Sequence, residues 1–203
     1  MRSSKHGTPQ ERVSRALSAG AVCFGRKGFF EATLEDVVDE SGLSRGSLYW
    51  YFDSKESLYD AVLEFCATRL EAAFAADADD LDGDGPVIAR FLRAIARDVE
   101  AEEEVYRVMY LAPRPTSADE QLARLTRLFV SYVELVVAAA SRRGELDLAG
   151  RSQGALVDIV HALAEGLIIR QLCDASFDVG RYVTTAADLL APGNQRRPAR
   201  ARR

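Results

Sequence analysis

Apolar residues recur at intervals of three and four along almost the whole chain, and no stretch alternates strictly with β-branched residues, so the pattern predicts an all-helical fold. Val13, Ala16, Leu17, Gly20 and Phe24 share one face of a first helix, about Pro9 to Gly25, with Pro9 suited to its first turn and Gly25 or Gly28 near its end. Thr33 reads as the N-cap of a short helix from about Leu34 to Ser41, in which Glu35 and Asp36 complement the helix dipole and which Gly42 ends. Ser44 caps another short helix, Arg45 to Tyr51, and Asp53 or Ser54 starts a long one from Lys55 to about Ala76.

The acidic, glycine-containing stretch Asp77 to Pro86 reads as a boundary, and five more helical segments follow it. They are a helix marked by Val87 to Val99, one from Val105 to Leu111 stopped by Pro113 and Pro115, one from about Ala118 to Arg143, one over Gln153 to Asp174, and a last from Val179 to Leu190. The Gln153 to Asp174 segment is apolar around nearly its whole circumference, which requires cover on both sides. One small core cannot bury it and the last helix fully, so residues 153–174 and 179–190 are expected to form half of an intermolecular four-helix bundle in a homodimer. The domains expected are 1–60, with 1–8 a flexible arm, then 61–192, then a basic, disordered tail at 193–203.

Composition is that of a folded globular protein, with 48% hydrophobic and 28% charged residues. The apolar run Leu128 to Ala140 is broken by Ser131 and Glu134 and is shorter than the roughly 18 residues of a membrane span. With a polar N-terminus, this predicts a cytoplasmic protein without a membrane role. Cys23, Cys66 and Cys173 are odd in number and widely spaced, which suits neither disulfides nor zinc; no metal and no cofactor is expected. Formal net charge is −5, and residues 1–60 hold eight Lys or Arg against nine Asp or Glu, so total charge argues nothing for nucleic acid.

Local charge does argue for it. Ser41 to Phe52 holds no acidic residue, although acids flank it on both sides. Two short helices joined by a glycine turn make a helix-turn-helix, whose second helix fits a major groove. Gly46 and Ser47 allow close backbone approach, Arg45 suits a guanine or a phosphate, and Tyr49 and Trp50 can donate to phosphates. Lys55 joins its charge to the N–H groups that open the next helix. Leu34, Val37, Val38, Leu43, Leu48 and Phe52 are the inward residues. For the run Tyr49 to Phe52 the competing account is core packing, which suits Phe52 and partly Tyr51.

At these residues the chain resembles the TetR regulators. The shared pattern reads Phe24 to Gly28, Thr33, Val37-Val38, Ser41-Gly42-Leu43-Ser44, Leu48-Tyr49, Phe52, Ser54-Lys55-Glu56 and Leu58, and covers about Ala16 to Val62 without a gap. The resemblance implies a three-helix DNA-binding domain followed by a helical ligand-binding and dimerisation domain, about nine helices in all. By it, Thr33, Ser44, Tyr49 and Lys55 look like phosphate contacts, and Arg45, Gly46, Ser47 and Trp50 sit where the family meets base edges or nearby backbone. The implied partners are a double-stranded DNA operator and a small-molecule effector, and the implied action is that of a repressor rather than an enzyme.

Further along, His161 and Glu165 lie four apart and share a helix face, either as a satisfied pair or as a polar anchor in a ligand cavity with Arg170, Tyr106, Tyr110 or Tyr132. The same pair as acid and base of a small helical enzyme, and a dimeric adaptor whose helix-turn-helix only packs, are the alternatives. Asp80 to Gly85 imitates half a calcium loop, but Phe91 stands at the twelfth position, and Gly20 to Lys27 lacks the ending and the preceding strand of a phosphate loop.

Overall fold

The computed structural model describes residues 8–79, 81, 83–146 and 152–192. Most of the expected arm and the whole expected tail, at 1–7 and 193–203, lie outside these, as do Asp80 and Asp82 of the calcium-like stretch. Among the described residues there are nine α-helices and no strand: α1 Pro9–Glu31, α2 Leu34–Ser41, α3 Arg45–Tyr51, α4 Lys55–Asp79, α5 Val87–Ala101, α6 Glu103–Tyr110, α7 Asp119–Arg142, α8 Gln153–Cys173 and α9 Val179–Leu190. The all-α expectation therefore holds. No described helix is long and apolar enough to cross a membrane. The chain divides into two compact units, residues 1–71 with 102–125, and 72–101 with 126–203.

In the first unit α1 packs on α2 and on α6. Its start is set locally: Pro9 occupies the first turn, and Thr8 and Glu11 exchange hydrogen bonds in a capping box. Of the two glycines expected near its end, Gly25 and Gly28, it is Gly28 that interrupts it: the chain stays helical up to Gly28, breaks there, and makes one further turn to Glu31. Gly28 has φ 73° and ψ 170°, a conformation that a side chain strains. Immediately after it, the Phe29 N–H donates to the Pro113 carbonyl at 2.8 Å. A β-carbon on Gly28 would lie 2.8 Å from Pro113 Cδ and 3.0 Å from its carbonyl oxygen.

The interior is aromatic near this bend. Tyr59 meets Phe24 edge-on at 4.9 Å and Phe29 at 5.0 Å. Leu48, Leu58 and Val62 are fully enclosed. Cys23 and Cys66 are buried too, and desolvation pushes their thiols up to about 11 and about 12, so both stay protonated and pack as small apolar groups.

In the second unit α5 packs on α8 and α9 and buries Val87, Ile88, Phe91, Leu92, Ile95 and Val99. The turn after α7 holds the start of α5. Glu145 accepts the Val87 N–H at 2.6 Å, while Arg143 pairs with Glu145 and donates to the carbonyls of Gly83 and Gly85. Phe74, Phe91, Phe129 and Tyr132 form an aromatic cluster with centroids 5.2 to 6.4 Å apart. On α8, Leu156, Val160, Ala164, Leu167 and Ile168 are buried, whereas Ala155, Ile159, Ala162 and Ile169 are exposed along the other side. Tyr182 of α9 donates to the Leu163 carbonyl at 2.8 Å, tying the two helices together.

Gly28→Ala is expected to lower stability by about 1–3 kcal/mol, through strained backbone and the clash with Pro113; a urea midpoint equal to that of the parent chain would refute the assignment.

Candidate nucleic-acid interface

Three elements position α3. Thr33 caps α2 by accepting the Asp36 N–H at 3.2 Å, and Asp36 returns an acceptor to the Thr33 N–H at 2.9 Å. Gly42 then turns the chain in the left-handed conformation, φ 63°, with its N–H on the Val38 carbonyl. Arg15 of α1 donates to the Ser41 carbonyl at 2.5 Å, and the Leu43 N–H donates to the Ser41 hydroxyl. Ser44 finally caps α3 by accepting the Ser47 N–H at 3.2 Å.

With Leu48 wholly enclosed and Phe52 buried, the opposite side of α3 must face outward. It carries Arg45, Gly46, Tyr49 and Trp50, all exposed, with Ser47 half-buried at the margin. Trp50 is 83% and Tyr49 42% exposed, values no core role explains. A β-carbon on Gly46 would meet nothing within 4 Å, so no packing within the chain requires glycine there. Thr33 and Ser44 are exposed, and a hydroxyl that accepts in a cap still has its own hydrogen to donate.

The cations nearby are engaged. Arg45 pairs with Glu35 of α2, and Lys27 with Asp36 at 2.7 Å. Lys27 raises its own affinity for a proton and lowers that of Asp36, chiefly through their mutual hydrogen bond. Exposed pairs of this kind contribute about 0–1 kcal/mol, so a phosphate can displace Glu35 from Arg45 at little cost. The Lys55 ammonium donates to the Phe29 carbonyl at 2.9 Å and the Phe30 carbonyl at 3.4 Å and lies 4.5 Å from the Phe29 ring centroid. It thereby fastens α4 to the end of α1, a role that sequence reading missed. Phe30, 64% exposed beside these carbonyls, was also missed; the pair Phe29-Phe30 was the available signal, since adjacent helical residues do not share a face.

The six candidate ligand residues fall into separate groups. Tyr106 and Tyr110 stack on each other in the first unit, and Tyr106 is buried. In the second unit Tyr132 joins the aromatic cluster and lines a cavity of about 160 Å³, and the His161 ring meets Phe129 edge-on at 5.1 Å. His161 Nε2 stands 3.6 Å from the Glu165 carboxylate, an ion-pair distance rather than the hydrogen bond expected from their spacing. Arg170 turns to Asp174 at 3.4 Å and covers the Phe177 ring. Among the described residues no three His, Cys, Asp or Glu side chains gather in a group that could hold a metal ion.

Gly46→Ala is expected to leave folding unharmed, or to raise stability by up to about 1 kcal/mol as the better helix former, while weakening duplex binding about tenfold through contact at the groove. Thermal melts alongside a gel-shift titration separate the two; unaltered affinity would remove Gly46 from the interface.

Comparison with known proteins agrees with this geometry. Residues 16–62 match the model of the bacterial regulatory proteins of the tetR family. The HTH-type transcriptional regulator TtgR of Pseudomonas putida is 25% identical over 194 residues, covering 89% of this chain and 92% of that protein. The fatty acid degradation regulator FadR of Bacillus halodurans superposes with a TM-score of 0.72 at 13% identity, over 95% of this chain and 100% of that one. FadR of Bacillus subtilis, solved in complex with stearoyl-CoA, gives 0.67 at 12% identity, over 89% and 98%. With the outward α3, the family match across the helix-turn-helix and a regulator alike over most of its length, the comparisons together indicate a transcriptional regulator of the TetR type.

Proposed function

We propose that the protein is a homodimeric repressor that holds a palindromic operator through one α3 per protomer and leaves it when a small molecule occupies the helical second domain. The observation that carries this reading is the outward face of α3, with Arg45, Gly46, Tyr49 and Trp50 exposed in a stretch free of acidic residues. Thr33, Ser44, Tyr49 and Lys55 serve phosphates; Arg45, Gly46, Ser47 and Trp50 serve base edges or the backbone beside them. Phosphate contacts set register, and the few base contacts discriminate sequence.

Pairing is assigned to α8 and α9. Ile159 and Ile169 on α8 and Leu189 on α9 are large, apolar and exposed in the single chain, and the exposed Ala155 and Ala162 on α8 let helices approach closely. A two-fold axis through such a face makes a four-helix bundle and fixes the distance between the two copies of α3. Effector action then needs differential affinity alone: a compound that prefers a protomer shape with differently spaced α3 helices draws the population away from DNA. The structural relative bound to stearoyl-CoA carries a ligand on the same fold, which supports a ligand-responsive second domain here. The domains assigned are 1–60 for DNA and 61–192 for effector and pairing, in a cytoplasmic, non-enzymatic protein.

Selection from random duplexes should enrich an inverted repeat with half-sites about 34 Å apart, or a multiple of that. Ile159→Asp with Ile169→Asp should give a helical monomer in light scattering that binds the repeat at least about tenfold more weakly. Recovery of no common sequence, or a monomer that binds as tightly as the dimer, would contradict the proposal.

A further inference from the structure

The second unit contains a cluster that the family match does not assign. α5 places Arg90, Arg93 and Arg97 at intervals of three and four, so they share one flank of the helix, and all three line the cavity of about 160 Å³. Phe91 and Tyr132, edge-on at 5.5 Å, give the same cavity an aromatic wall. Asp77 of α4 brings one carboxylate, so the described lining carries three positive charges and one negative.

Arg90 is the centre of the cluster. Its Nη2 donates to the Leu81 carbonyl, yet Nε and Nη1 are buried with no hydrogen-bond partner among the described residues. A guanidinium cannot shed its proton, so burial with unspent donors is costly unless an acceptor arrives. Neither Arg93 nor Arg97 has an ion-pair partner among the described residues, and both are exposed at the mouth. The cavity is smaller than the roughly 300–1,000 Å³ of drug-sized sites, which excludes a nucleotide or a long chain and admits one ring bearing one charged group.

Resting on the ligand-responsive reading above, we infer that this cavity binds a small aromatic carboxylate, its carboxylate at Arg90 with Arg97 behind it and its ring against Phe91 and Tyr132, and that this is the effector class. Charge-assisted bonds to the enclosed guanidinium nitrogens of half-buried Arg90 fix the carboxylate, and the aromatic wall selects the flat body over inorganic anions.

The test is titration calorimetry on the full chain with benzoate and cinnamate against benzamide and inorganic phosphate. Benzoate and cinnamate should bind at least about tenfold more tightly than either control, a difference of about 1.4 kcal/mol. Arg90→Gln should weaken both carboxylates about tenfold or more; Arg97→Gln, at an exposed position that folding tolerates, should weaken them severalfold with its circular dichroism spectrum intact. Benzamide or phosphate binding equally well, or both variants binding like the parent, would overturn the site. In a duplex-release assay, benzoate should free DNA from the parent chain at lower concentration than from Arg97→Gln. Binding without release would overturn the effector role. Release by a neutral compound, with no carboxylate binding, would overturn this inference and leave the ligand-responsive regulator standing.

Discussion

A helix of seven residues cannot sustain itself in water, because the cost of nucleation outweighs so few hydrogen bonds. α3 exists because its neighbours hold it: Ser44 caps its start, α2 packs beside it, and Leu48 and Phe52 are buried in the interior of the first unit. That one-sided burial is the constraint on which function depends. It fixes the rotation of α3 about its axis, and so decides that Arg45, Gly46, Tyr49 and Trp50 meet solvent.

Electrostatics around this helix is local. A chain with net charge −5 gains nothing from long-range attraction to phosphates, and Arg45, Lys27 and Arg26 are each matched with an acid in the free protein. Such exposed pairs are weak and screened by salt. On the proposed reading, binding exchanges partners as well as adding charge, so that shape and hydrogen-bond donors on α3 discriminate more than overall attraction does.

Much of this was legible in the residues. α9 has the bounds that its apolar stripe implied, Val179–Leu190, and Thr33 and Ser44 cap the helices that their side chains called for, since caps are set within four residues. What escaped prediction depends on residues distant in sequence. The residues offered Gly25 or Gly28 for the end of α1 without choosing between them, and the choice of Gly28 is tied to Pro113, which meets the chain there; Lys55 likewise finds its acceptors at the end of α1. Arg90, Arg93 and Arg97 carry no signal in the sequence, because three arginines at that spacing ordinarily form the solvated flank of an amphipathic helix; only the cavity beside Tyr132 distinguishes them. Periodicity likewise had no means of separating Tyr106 and Tyr110 from Tyr132 and His161, which belong to different units.

The central claim is that the exposed side of α3 is the surface that touches DNA. Trp50 is the one tryptophan of the chain and lies on that side, so its emission reports the contact directly. In the free protein it should emit at the long wavelength of a solvated indole. Titration with a bound duplex at low salt should quench or shift that emission in step with binding, and added salt should reverse it. Full binding with Trp50 emission unchanged would place the DNA elsewhere and contradict the account.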